Sequence, residues 1–219
     1  MTDDFADTIL RIRSALGRKS ALAAPPTPPE INEPITRLVH FDIGLAELFA
    51  KTAQAAKMSV TPCRPEEIST AVGEFLKSAN CRRIALSSSP LLDRLGLLAA
   101  LQSAGFEARS WQSMTLDELY DFDCGITEVY RAVAETGSLV IRPGPAHGRG
   151  LSLVCPIYVA IVEPKNLVPD LVDLFEILAA DPFPAATHIM TGPSKTADIE
   201  MNLVTGVHGP GRVQVFLIQ

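Results

Sequence analysis

The sequence is poor in the residue patterns that hold metal clusters. It contains four cysteines, none of them in a C-x-x-C pair: Cys63, Cys81, Cys124 and Cys155. Iron–sulfur clusters and structural zinc sites need cysteines or histidines at short, regular spacing. We therefore expect no iron–sulfur cluster and no metal site held by this chain alone, and we interpret the cysteines as buried free thiols.

Basic runs and long apolar runs are also missing. The formal net charge is −6 and no run of Lys and Arg occurs, which excludes nucleic acid as an expected partner. The longest apolar run, residues 153–162, contains Pro156 and is too short to cross a bilayer. The first residues are acidic and lack the apolar stretch of a secretory signal. These absences predict a cytoplasmic protein without a membrane span.

Nucleotide-binding fingerprints do not occur either. The sequence contains neither G-x-x-x-x-G-K-[ST] nor G-x-G-x-x-G. Both patterns place glycine-rich backbone around phosphate groups. A Walker-type or dinucleotide site is therefore not supported, and the sequence leaves any cofactor unknown.

What the sequence does contain begins with an amphipathic segment. In residues 1–19 an apolar stripe recurs at helical spacing: Phe5, Ile9, Ile12 and Leu16. Residues 20–36 follow with five prolines, which neither a helix nor a central strand can contain. We expect an N-terminal helix, a proline-rich linker and an α/β domain in residues 37–219. The helix docks either on its own domain or on a partner.

Strand-like and helix-like segments alternate through the remaining chain. Residues 153–162 are almost continuously apolar, which predicts a central strand covered on both faces. Residues 129–134 are interpreted as a short helical turn, and residues 138–141 as a strand. The alternation predicts an α/β fold with an open, mainly parallel sheet flanked by helices, and one strand near the end running antiparallel.

A serine-rich loop precedes one of the predicted helices. It follows a predicted buried strand and consists of Ser87, Ser88, Ser89 and Pro90. Its hydroxyl and backbone N–H groups can hold an anion at the helix N-terminus. Alternatively, Ser88 or Ser89 only caps the helix. Further along, Thr115 and Glu118 have the spacing of a capping box.

Most of the candidate chemistry lies in residues 191–200 and 206–211. The first segment places Ser194, Lys195 and Thr196 directly after Gly192 and Pro193. Their side chains and the Gly192 amide can form a nest for a carboxylate or phosphate. In the alternative, the Gly-Pro pairs only turn the chain.

Three further residues are candidates for acid–base catalysis: Glu135, Asp198 and His208. Glu135 precedes a predicted strand, where a carboxylate would be exposed at the sheet edge. Asp198 and His208 have structural alternatives, because an acid at a helix start can cap backbone N–H groups and a histidine can be structural. Arg149, in a glycine-rich loop with His147, is a candidate for binding a substrate carboxylate. Alternatively, Arg149 is only a solvated charge on the loop and binds no substrate.

Two long motifs resemble one known family. TGPSKTADIE followed by LVTGVHGP, and GITEVYRAVAETGSLVI before them, are similar to signatures of the lactate-utilisation protein C family, whose members carry a LUD domain. The short N-terminal helix ending in ALGR also fits, and the resemblance covers nearly the whole chain. It implies a fold like that of the ribose-phosphate isomerase, glucosamine-phosphate deaminase and CoA-transferase group.

The resemblance also implies a function. The expected role is that of a subunit of an L-lactate oxidation system, accessory or binding the substrate acid, beside separate iron–sulfur proteins that convert lactate to pyruvate. One alternative is a free-standing CoA-transferase-like or isomerase-like enzyme acting on a small anionic metabolite. Another is an interaction module with a vestigial site. Whether the chain is an enzyme stays open.

One segment departs from the family pattern. Many members carry a leucine-proline pair and a histidine on the central strand. Here the matching segment is LVCPIYVAIV, with Cys155 in place of that proline and Tyr158 in place of the histidine. A role of that histidine in relatives would have to be taken here by His147 or His208.

Overall fold

We describe the protein from a computed structural model. The description covers residues 3–18, 27, 29–30, 32, 35, 37, 39, 44–145, 147–182, 184, 186–196 and 204–219. The chain divides into two units, Met1–Glu33 and Pro34–Gln219. In the first unit, helix α1 (Asp3–Ala15) is followed by Gly17, whose positive φ of 65° suits the end of a helix. Most of the proline-rich segment lies outside the described residues.

The second unit contains twelve strands within the described residues. They are β1 (Ser59–Cys63), β2 (Arg83–Leu86), β3 (Glu107–Ser110), β4 (Cys124–Glu128), β5 (Arg131–Val133), β6 (Ser138–Ile141), β7 (Ile157–Val162), β8 (Leu167–Val168), β9 (His188–Met190), β10 (Lys195–Thr196), β11 (Val204–Thr205) and β12 (Arg212–Ile218).

Six of these strands form the main sheet, in the order β1-β12-β7-β4-β2-β3. Every neighbouring pair in it is parallel. The predicted α/β class and parallel sheet are therefore confirmed. Strand β7 lies inside the sheet between β12 and β4, and Val159 and Ala160 on its two faces are fully buried.

Helices cover both faces of the main sheet. They are α2 (Leu45–Ala55), α3 (Ile68–Ser78), α4 (Pro90–Arg94), α5 (Leu97–Ser103) and α6 (Leu116–Leu119). A further helix, α7 (Leu171–Ala180), packs instead on a second, smaller sheet. On one face α3, α4 and α5 pack against side chains such as Ile84 and Ile161. On the other face α2 packs through Phe49 and Ala53 against Ala160.

A second, smaller sheet lies on the α2 face, with the order β8-β5-β6-β9. Strand β6 pairs antiparallel with both β5 and β9. The antiparallel strand expected near the chain end is not found in the main sheet, where the last strand, β12, is parallel to both of its neighbours. The prediction of a helical turn at residues 129–134 is wrong. Ala132 and Val133 instead pair with β6 on one side and with β8 on the other, and both are fully buried. Long-range pairing outweighs local pattern in so short a segment.

The predicted helix starts agree with the structure. Ser89 caps α4 by accepting a hydrogen bond from the Leu92 amide. Thr115 and Glu118 form the predicted capping box at the start of α6. Among the residues described above, no helix combines the length and the apolar character needed to span a membrane.

Candidate functional site

Strands β2 and β4 are neighbours, but the segments that follow them cover opposite faces of the main sheet. After β2, α4 and α5 pack in the cluster that contains Leu86. After β4, the β5–β6 hairpin packs in the opposite cluster through Ala132 and Leu139. In open α/β sheets, ligands bind outside the carboxyl ends of the strands at such a switch point. A site is therefore expected between the ends of β2 and β4.

A cavity of about 210 Å³ lies at this position, and we call it the edge cavity. All of its lining residues except one proline carry a polar or charged group, and both signs of charge are present: Ser89, Pro90, Glu128, Tyr130, Arg142 and His147. Ser89 and Pro90 begin α4 after β2, and Glu128 is the last residue of β4. The strand ends and the helix start therefore fix these groups on rigid elements.

A second cavity of about 330 Å³, the side cavity, shares His147 with the edge cavity. Its other lining residues are Trp111, Pro143, Gly144, Gly148, Arg149 and Ala186. The loop approaches Trp111 so closely that a Cβ atom on Gly148 would lie 2.1 Å from the indole ring. Glycine is therefore required here for the loop to line the cavity. We refer to the two cavities together as the cleft.

His147 is half-buried in the cleft. Burial lowers the pKa of its imidazole, and the negative charge of Glu128 opposes this effect. Because the ordinary pKa of histidine is already below 7, the neutral ring predominates at neutral pH. A neutral imidazole offers one hydrogen-bond donor and one acceptor. His147 can thus exchange a proton with the hydroxyl group of a molecule bound in the cleft.

The cleft also carries two guanidinium groups. Arg142 is mostly buried and pairs with Asp181 at 2.8 Å. Arg149 is exposed at the side cavity and forms no ion pair among the residues that the structure describes. The cleft therefore combines cations with a neutral histidine, which are the groups that bind and orient a small acid.

The motif at residues 191–211, which we call the signature loop, contains strands β10 and β11. These two strands pair antiparallel and form the signature hairpin. Gly192 has a positive φ of 90°, and a Cβ atom there would lie 2.2 Å from the Ala56 carbonyl oxygen. The Ser194 amide donates to the Pro210 carbonyl at 2.9 Å, and Lys195 is exposed. Asp198 lies outside the described residues, as does the side chain of Thr196.

Glu135 lies in the turn between β5 and β6 and is half-buried. Its amide donates to the Pro169 carbonyl at 2.9 Å. Burial raises the pKa of its carboxyl group, and the nearby charge of Asp170 raises it further. A chain of hydroxyl groups, each 2.7 Å from the next, runs from Thr136 through Ser138 to Thr191. This chain links the Glu135 turn to the first residue of the signature loop.

The structure places the predicted residues in three separate settings. Arg149 lines the side cavity of the cleft. Lys195 and the exposed His208 belong to the hairpin region, where the Gly211 amide donates to the Pro156 carbonyl before β7 begins. Glu135 occupies the turn of the smaller sheet. Among the described residues, no hydrogen bond or ion pair joins these four side chains to one another.

Sequence reasoning missed three lining residues of the edge cavity: Glu128, Tyr130 and Arg142. A signal for two of them exists, because Glu128 and Arg142 directly end or follow buried strands. The serine loop was considered as an anion site, and Ser89 does line the edge cavity while also capping α4. Capping the helix and facing an anion in the cavity are therefore compatible roles of this loop.

Metal ligands are not grouped in the part of the chain that the structure describes. There, no cluster of three or more His, Cys, Asp and Glu residues has the geometry to hold a metal ion. All four cysteines are free and buried.

The fold and the cleft define an α/β protein with a parallel main sheet and a cavity lined by polar residues at the switch point of that sheet. Residues 46–218 match the LUD domain, and the chain belongs to this family.

Similar proteins support this assignment. Lactate utilization protein C from Halalkalibacterium halodurans is 28% identical over 82% of this chain and 81% of its own length. Lactate utilization protein C 1 from Bacillus mycoides is 31% identical over 70% of each chain. Among solved structures, a DUF162-family protein from Deinococcus radiodurans superimposes with a TM-score of 0.59. It is 20% identical and covers 80% of this chain and 96% of its own, which shows the shared fold.

Proposed function

We propose that this protein takes part in lactate utilisation as a subunit that binds a small carboxylic acid and works beside separate iron–sulfur proteins. The names of its relatives, lactate utilization protein C, support the process. The absence of C-x-x-C pairs from the sequence supports a division of labour, in which other chains carry the electrons.

The observation that carries the acid-binding role is the cleft at the carboxyl ends of β2 and β4. An edge cavity of about 210 Å³ suits a short organic acid better than a nucleotide. Arg142 and Arg149 supply positive charge for a carboxylate, and His147 supplies a neutral ring for a hydroxyl group. An α-hydroxy acid such as lactate presents both of these groups.

The signature hairpin is the competing location for the anion. In that hypothesis Ser194, Lys195, Thr196 and the Gly192 amide hold the carboxylate or phosphate, and Asp198 and His208 act beside them. Lys195 is exposed and forms no ion pair within the described residues, so its charge is available. This hypothesis predicts that Lys195→Ala weakens anion binding by roughly 1.5–3 kcal/mol, the usual value of a hydrogen bond to a charged group.

Calorimetric titration with L-lactate separates the two locations. If the cleft binds the acid, His147→Gln weakens binding by about tenfold, because a polar partner of the ligand is lost. Lys195→Ala should then behave like Lys77→Ala, a matched control that removes an exposed lysine from α3. The opposite pattern would move the site to the hairpin. If the folded wild-type protein does not bind L-lactate, the acid-binding role is contradicted.

A stand-alone enzyme acting on a small anionic metabolite is the second candidate. The proximity of His147 and Glu128 favours it, because a histidine beside a carboxylate can transfer protons. Affinity purification of the tagged full chain from cells grown on lactate distinguishes the candidates. Co-purifying iron–sulfur proteins support the subunit role. Turnover of CoA esters or sugar phosphates by the isolated chain supports the enzyme.

A further inference from the structure

Tyr130, in the wall of the edge cavity, is placed between two positive charges. The guanidinium carbon of Arg131 lies 4.3 Å from the centre of its ring, and that of Arg142 lies 4.6 Å away. Arg142 pairs with Asp181, whereas Arg131 forms no ion pair among the described residues. Arg131 therefore adds a second positive charge, and the electrostatic potential around the Tyr130 hydroxyl is more positive than the Arg142–Asp181 ion pair alone would make it.

One carboxylate oxygen of Asp181 accepts hydrogen bonds from two residues of the cavity wall. The Tyr130 hydroxyl donates to Oδ2 of Asp181, and the Arg142 guanidinium donates to the same atom at 2.8 Å. The hydrogen bond from Tyr130 and the positive charge of Arg142 lower the pKa of the Asp181 carboxyl group. Asp181 is therefore an ionised carboxylate held by a guanidinium and a phenol, a charge-assisted arrangement that a carboxylate ligand would also use.

Asp181 is well placed to leave this position. It follows directly after α7, and its side chain is 38% exposed, whereas that of Arg142 is only 19% exposed. A carboxylate this exposed can turn to water at small cost, because solvent screens its ion pair. Arg142 and Tyr130, in contrast, are fixed beside the cavity by stacking on each other.

We propose that Arg142 and Tyr130 form the carboxylate subsite of the edge cavity, and that Asp181 occupies this subsite as an internal competitor for a monocarboxylate ligand. The proposal rests on the acid-binding function proposed above and names the groups that recognise the acid. Glu128, which lines the same cavity, limits the negative charge that a bound ligand can carry. It repels a ligand that carries two or more negative charges more strongly than it repels a monoanion.

The test measures L-lactate binding by calorimetry to the full chain and to its variants. Asp181→Asn removes the competing charge, and we expect it to bind L-lactate about fivefold more tightly, as suits a partly exposed ion pair. Arg142→Gln should bind at least about tenfold more weakly. Glu176→Gln is the matched control, since it removes one negative charge from α7 without contacting Tyr130 or Arg142. Its affinity should equal that of the wild type.

Ligand analogues identify the recognised group. The affinity for lactamide, in which an uncharged amide replaces the carboxylate, should not change in Asp181→Asn, and malonate should bind more weakly than L-lactate. If the wild type binds L-lactate but Asp181→Asn binds it equally or less tightly, the internal-competitor proposal is overturned while the acid-binding function stands. If Arg142→Gln folds and keeps wild-type affinity, Arg142 is not the subsite. If no variant binds L-lactate, both proposals fail.

Discussion

Tyr158 and Thr127 share a hydrogen bond of 2.7 Å between their side-chain oxygens, in the buried layer between the main sheet and the smaller sheet. Both residues are almost completely inaccessible to solvent. Burial raises the pKa of the Tyr158 hydroxyl, so this group stays protonated. Tyr158 is thus a neutral, hydrogen-bonded part of the core.

Removing the Tyr158 hydroxyl should reduce stability. Tyr158→Phe leaves the Thr127 hydroxyl buried without its partner, and we expect a loss of about 1–2 kcal/mol in the free energy of unfolding. Thr127→Val removes the other hydroxyl group of the same hydrogen bond. Urea denaturation of both single variants and the double variant measures the coupling between them. Strictly additive losses would show that the hydrogen bond contributes nothing specific.

Glu135 should make stability depend on pH in a defined direction. Its folded-state pKa is raised, so its contribution to stability is present below the unfolded-state pKa and is lost as the pH rises through the folded-state pKa. Glu135→Gln should therefore be more stable than the wild type near pH 7 and should lose this advantage near pH 4. Thermal melts across this range measure the difference. Glu74→Gln, an exposed change on α3, should show no such trend.

The cysteines should be unreactive in the folded protein. Burial raises the pKa of the thiol to about 11 in Cys81 and to about 12 in Cys155, so little thiolate forms at neutral pH. We expect a thiol reagent to label none of the four rapidly before denaturation and all of them afterwards.

Anaerobically purified protein should also be colourless and hold no stoichiometric iron. A brown protein with several irons per chain would contradict this prediction.

The N-terminal helix should be dispensable for folding but required for partner binding. The reason is the proline-rich segment that follows it, which no helix can continue through. Deletion of residues 1–30 should leave the thermal unfolding midpoint nearly unchanged and should reduce co-purification of partner proteins. An unfolded truncated chain would show that the helix is integral to the domain. Unchanged partner capture would remove the proposed binding role.

Much of the fold was predictable because it depends on local patterns. The continuous apolar stretch at residues 153–162 predicted the buried central strand, found as Ile157–Val162. Capping residues predicted helix starts, as at Ser89 and Thr115. The strand Arg131–Val133 could not be predicted, because it is stabilised by pairing with β6 and with β8 rather than by its own sequence pattern.

The candidate site was predictable only in part, for the same reason. The sequence by itself determined the strands and helices that have a clear local pattern, the family, and the supply of polar residues in the loops between them. Only the tertiary structure decided that Arg149 and His147 join Glu128 in one cleft, because their loop follows β6 of the smaller sheet and only the packing of that sheet on the main sheet brings it to the end of β4. It also decided that Asp181 reaches Tyr130 across 51 residues of sequence, a contact that depends on how α7 packs over the smaller sheet and that no local spacing encodes.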